Sequence, residues 1–204
     1  MRRPRVGVLI AMLSLCALTA ACGGGGSSII LGPLLAVFAP DAASADPRIS
    51  MQAGAAAGEV FTVEIQAGDI DDLAGVAFTL LYDSALVGYL GCQAQGSILL
   101  SNPALANSCD NTVVGGASFS AALQNGTPGI LNVGASLVGL VAGVADGTGL
   151  VLTLTFETLA EIPAPGSQLD FEAGASREVQ TCDLSSCAPA VVAWDAGSVT
   201  AVPL

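Results

Sequence analysis

Histidine and lysine are both missing from this 204-residue chain. Without them there is no Ser-His-Asp or Cys-His catalytic set, no Schiff-base lysine, no phosphate-loop lysine and no histidine metal site. Aromatic residues are sparse as well, with one Trp, two Tyr and six Phe. Most of the phenylalanines fall at inward positions of candidate strands. An enzyme built from what is left would need a carboxylate pair, and that chemistry on sugars normally also uses aromatic platforms to hold the substrate. The composition points away from an enzyme and towards a non-catalytic protein without a cofactor.

Positive charge is scarce and unevenly placed. Three of the five arginines, Arg2, Arg3 and Arg5, stand at the very start, so beyond residue 21 only Arg48 and Arg177 face all seventeen acids, a formal charge of −15. Such a surface repels phosphate backbones and disfavours nucleic acid as a partner. It is equally unsuited to docking on anionic headgroups by charge, so attachment to a membrane needs another device.

The start of the chain supplies one. A basic Met1-Arg2-Arg3-Pro4-Arg5 segment is followed by an apolar run, Val6 to Leu18, too short for a stable membrane span. The junction Leu18-Thr19-Ala20-Ala21-Cys22 resembles the bacterial lipoprotein lipobox. That resemblance implies removal of residues 1–21 as a signal peptide, lipidation of Cys22, and export to the cell envelope. Glycine after the cysteine implies the outer membrane of a Gram-negative cell. Gly23-Gly24-Gly25-Gly26-Ser27-Ser28 has tether composition, and residues 22–46 are expected to be the lipidated cysteine and a flexible tether, with one domain over 47–204. The apolar Ile29 to Pro40 is broken by Gly32 and Pro33, and either adds a strand or belongs to the stalk.

With Cys16 in the signal and Cys22 lipidated, four cysteines remain in an oxidising compartment: Cys92, Cys109, Cys182 and Cys187. Three pairings are possible. Cys92 with Cys109 and Cys182 with Cys187 is favoured because each closes a local loop, and a C-x4-C pair without histidine is a poor zinc ligand set.

Beyond about residue 47 the apolar pattern has a period of two. Phe61-Thr62-Val63-Glu64-Ile65-Gln66 places its odd positions inward, and Leu150 to Glu157 places its even positions inward. Further strands are expected over 76–82, 86–90, 112–114, 118–123 and 130–137. A hairpin is expected around Asn125-Gly126, and Val191 to Ala201 reads as a strand pair or a strand bulged at Gly197. Leu137 to Ala145 fits a strand, a helical turn or an apolar loop. Short strands with glycine-rich turns and no amphipathic helix predict an all-β, antiparallel sandwich.

The stretches AGEVFTVEIQAGDIDDLAGVAFTLLYDSALVGYLG (57–91), GTGLVLTLTFETL (147–159) and WDAGSV (194–199) together resemble the cohesin domain, in the same order. The resemblance implies a jelly-roll sandwich of about nine strands that binds a dockerin, a small calcium-loaded helical module, and so mounts polysaccharide-degrading enzymes on a scaffold or cell surface. It implies contact through the outward positions of the strand ending at Tyr82-Asp83, which here are Gly75, Ala77, Thr79 and Leu81. Of these only Thr79 carries a side-chain hydrogen-bonding group, so a partner would meet a flat, weakly apolar patch. The related folds of carbohydrate-binding modules make polysaccharide an alternative ligand, and a structural or adhesion domain is a third reading.

Asp69, Asp71 and Asp72 raise the question of calcium. Their spacing begins like an EF-hand, but Ala74 stands at the sixth position and Leu80 at the twelfth, where glycine and glutamate are needed. Turn formation by solvated aspartates is the favoured reading, with a looser calcium site as the alternative. Trp194, without a second aromatic nearby in sequence, is expected to cap the core rather than to hold sugar.

Overall fold

The computed structural model describes residues 32–105, 108–139 and 142–204. The expected signal peptide, Cys22 and the expected glycine tether lie outside the described residues. In chain order the strands are β1 (Leu34–Pro40), β2 (Arg48–Ala57), β3 (Val60–Gly68), β4 (Leu73–Tyr82), β5 (Val87–Gln93), β6 (Asp110–Val114), β7 (Ala117–Leu123), β8 (Ile130–Leu137), β9 (Gly149–Thr158), β10 (Ile162–Phe171), β11 (Arg177–Cys182), β12 (Cys187–Ala190), β13 (Ala193–Asp195) and β14 (Gly197–Pro203). No α-helix occurs among the described residues, and none is long and apolar enough to cross a membrane.

The two stretches with the clearest alternation become neighbours. Antiparallel pairing of β3 with β9 sets Phe61 opposite Phe156 and Val63 opposite Leu154, all buried on one face. They sit in a five-stranded sheet ordered β13-β2-β3-β9-β5. The facing nine-stranded sheet runs β1-β14-β10-β4-β8-β7-β6, with β11 on β4 and β12 on β11. Every pairing is antiparallel except β13 with β2. The described residues thus form an antiparallel β-sandwich, with a finer division into fourteen strands than the nine expected.

All six phenylalanines are buried between the sheets. Phe156 is the centre of one aromatic group, 5.6 Å from Phe61 and 5.7 Å from both Tyr82 and Tyr89. Phe78, Phe171 and Trp194 form a second, with Phe171 4.9 Å from the tryptophan. Burial, with a smaller contribution from nearby Tyr82, pushes the Tyr89 hydroxyl from about 10 up to about 12. The fold therefore holds a proton that the unfolded chain releases above about pH 10, so this stability is complete below 10 and is lost as pH rises through 12. Urea midpoints should fall across that window, and Tyr89→Phe should shrink the fall.

Three expectations need correction. Residues 34–40 are not tether: β1 pairs along its whole length with β14, burying Leu34, Ala36 and Phe38. The alternation in Leu34 to Pro40 is that of a half-buried strand, and Gly197 opposite Pro40 leaves the space that the Phe38 ring fills. Val191 to Ala201 is neither a strand pair nor a bulged strand. β13 belongs to one sheet and β14 to the other, and the chain crosses between them at the buried Ala196. The expected strand reading from 150 also carries a bulge opposite Ile65–Gln66, which turns Val151 inward along with Leu152.

The local features follow their chemistry. Asn125 and Gly126 take positive φ, 51° and 72°, in a 3-10 turn that joins β7 to β8 as a hairpin. Cys92 is bonded to Cys109, and Cys182 to Cys187 across the β11–β12 hairpin. From Val138 to Ala145 the described residues form loop, with Val144 bridging Leu73.

Candidate functional site

β4 lies in the middle of the nine-stranded sheet because its inward positions Val76, Phe78, Leu80 and Tyr82 are all large and apolar. Its other face looks away from the core. On one side β8 sets Ser136 beside Gly75, Gly134 beside Ala77 and Asn132 beside Thr79. On the other side β10 and β11 share its edge, handing over at Thr79, whose carbonyl accepts from the Glu172 amide and whose amide donates to Ser176. β11 thereby places Gln180 beside Gly75 and Glu178 beside Ala77.

The four positions that the resemblance implied are brought together on this face, but they differ in access. Ala77 is exposed and Leu81 partly so, while Gly75 and Thr79 are covered by their neighbours. Thr79 donates from Oγ1 to Asn132 Oδ1 at 3.1 Å, which engages the one polar side chain of the set within the sheet. Around Gly75, Ala77 and Gly134 the small side chains leave a depression of about 240 Å³. Its walls are residues that sequence reasoning missed: Ser118 and Ser120 of β7, Ser136 of β8, and Glu178 and Gln180 of β11. Their alternation with Phe119, Ala135 and Val179 marked them as outward, but only strand pairing shows which face they share.

Gln180 Nε2 donates to Glu178 Oε1 at 3.1 Å, so the exposed carboxylate is held at the rim. The unit's two cations are used elsewhere. Arg48 pairs with Asp46 at 2.7 Å, and the Arg177 guanidinium lies 5.7 Å over the Trp194 ring. Trp194 is therefore a half-buried cap on Phe78 and Phe171 with an arginine over it. Seven of the nine aromatic side chains are buried, and Tyr89 and Trp194 are partly exposed.

Asp69, Asp71 and Asp72 lie in the turn between β3 and β4. Asp69 and Asp72 take positive φ, 52° and 55°, the Asp69 amide donates to Thr148 Oγ1, and the Asp72 carbonyl accepts from the Cys182 amide. Among the described residues no group of three or more His, Cys, Asp or Glu is placed to hold a metal ion. Asp183, in the turn closed by Cys182 and Cys187, is held below the usual carboxylate range by the Ser185 hydroxyl and by the Ser185 and Ser186 amides. Those hydrogen bonds order the hairpin end.

The described residues form an antiparallel β-sandwich with one sheet face open around Ala77. Solved structures define the fold more closely. The chain superposes on a type II cohesin domain from the cellulosome of Acetivibrio cellulolyticus with a TM-score of 0.51 and 19% identity, covering 76% of this chain and 95% of that one. It matches the second type II cohesin module of the ScaA scaffoldin of the same organism with a TM-score of 0.52 and 13% identity, over 81% and 88% of the two chains. A third match, at TM-score 0.51 and 15% identity over 73% and 93%, is an N-terminal interface mutant of a type II cohesin-X-dockerin complex from that organism. No protein-family model and no curated protein matches the chain. The fold is cohesin-like.

Proposed function

We propose that this chain is an exported, lipid-anchored, non-catalytic module that holds a protein partner, of dockerin type, against the outward face of β4, β8, β7 and β11. Cys22 is its anchor to the outer membrane, and the partner is a degradative enzyme or scaffold displayed at the cell surface. A multiply acylated cysteine suits this role, since a single acyl chain binds membranes only marginally. The observation that carries the reading is the β4 face itself: a central strand with its outward side open around Ala77, on a fold whose solved neighbours include a cohesin captured with its dockerin.

The reading is tested with the full chain and an Ala77→Arg variant, offered to extracellular proteins of the producing cell. A long side chain at the centre of the face should abolish capture of the partner while leaving the circular dichroism spectrum unchanged. Capture that is indifferent to Ala77→Arg would move the partner to another surface and overturn the assignment. Replacing Cys22 with alanine should release the protein from salt-washed membranes.

A further inference from the structure

The depression on the β4 face carries more information than its location. One register row crosses it from Glu178 through Ala77 and Gly134 to Ser120, so a carboxylate stands at one end and the middle is low. At about 240 Å³ it is below the roughly 300–1,000 Å³ of small-molecule sites, and is matched instead to one inserted side chain. Its floor is alanine and glycine, its far wall is serine hydroxyls, and its near wall is the Glu178 carboxylate held by Gln180.

We infer that this depression receives an arginine side chain of the protein partner, with the aliphatic stem over Ala77 and Gly134 and the guanidinium against Glu178. The inference rests on the proposed use of this face for protein binding and adds the chemistry of the contact. Three features select the residue. An apolar floor with a charged rim suits a side chain that buries its stem and keeps its head at the edge. The rim and the whole unit are acidic, two arginines against seventeen acids, and the two arginines are occupied by Asp46 and Trp194, so a partner carboxylate is repelled and a cation attracted. Beside the amide side chains of Asn111 and Gln180, the wall groups Ser118, Ser120, Ser136 and the Glu178 carboxylate can accept hydrogen bonds from several directions. A planar guanidinium with five donors satisfies such a set better than an ammonium does.

The test uses the full chain and N-acetyl-arginine methylamide as the probe, with the citrulline analogue as an uncharged isostere. Amide resonances of Gly75, Ala77, Gly134, Ser118 and Ser120 should shift saturably with the arginine probe and not with citrulline. Glu178→Gln should weaken binding about tenfold, Glu178→Asp should restore part of it, and added salt should weaken it in the native chain. Equal response to citrulline, shifts confined to other residues, or an unchanged affinity in Glu178→Gln would overturn the inference. Those results are separable from failure of the proposed function, which is read by whether Ala77→Arg blocks capture. A partner lost on Ala77→Arg but bound equally by Glu178→Gln leaves the face assigned and the arginine contact wrong.

Discussion

A chain truncated to begin at residue 47 is expected to lose a large fraction of its stability. The truncation removes β1, and with it the buried side chains of Leu34, Ala36 and Phe38. Burying a leucine or phenylalanine contributes about 1.5–3 kcal/mol each, so the loss is about 3–6 kcal/mol before any backbone term. Seven residue pairs with β14 go as well, together with the 2.8 Å hydrogen bond from the Ala36 amide to the Gly58 carbonyl that ties β1 to the β2–β3 turn. Against a typical domain stability of about 5–15 kcal/mol, this is a large fraction of the total. β14 would then become a long, uncharged edge, which favours association between chains. Urea denaturation followed by Trp194 fluorescence, with sedimentation to detect aggregates, measures both effects. Equal midpoints for the truncated and complete chains would show that β1 contributes nothing.

Phe156→Ala is the single substitution with the largest expected cost, about 3–5 kcal/mol. Its ring is fully buried and is the shared partner of Phe61, Tyr82 and Tyr89. Phe61 and Tyr89 belong to the same sheet as Phe156, whereas Tyr82 reaches it from β4 across the interior, so the cavity would open between the two layers. Little nearby can collapse into that space, because Leu80, Leu131 and Leu154 are already fully buried. Phe156→Leu should recover part of the loss by restoring volume. The comparison is read from urea midpoints at unchanged slope. A cost near that of an exposed substitution would mean that the ring does not hold the sheets together.

Some of this protein was legible from neighbouring residues alone. β3 and β9 showed their buried faces because apolar and polar residues alternate over Phe61 to Gln66 and over Leu152 to Glu157, and the extended chain turns alternation directly into two faces. Asn125-Gly126 specified its turn through residues that tolerate positive φ. Both disulfides were readable because each closes a short loop. β2 and β10 were harder to see: the first dissolves into alanine and glycine after Gln52, and the second carries Pro163 and Pro165. Tertiary pairing decides such segments, since their own side chains express little preference.

The candidate site divides in the same way. Gly75, Ala77, Thr79 and Leu81 were identifiable as outward by counting from Tyr82, a purely local operation. That Thr79 is withdrawn from the surface by Asn132, and that Glu178 stands beside Ala77, depends on strands far apart in the chain meeting β4 from both sides.

By itself, then, the sequence determined which residue types are missing, the all-β class, the local turns and bridges, and the acidic balance of the chain. Only the tertiary structure decided that Leu34 to Pro40 belongs to the sandwich, that the last two strands divide between the sheets, and that a held carboxylate borders a small-residue depression. The reason is physical: side-chain alternation specifies which face of a strand is buried, whereas neighbours are chosen by pairing and packing across the whole core, and that choice is not written in any one segment.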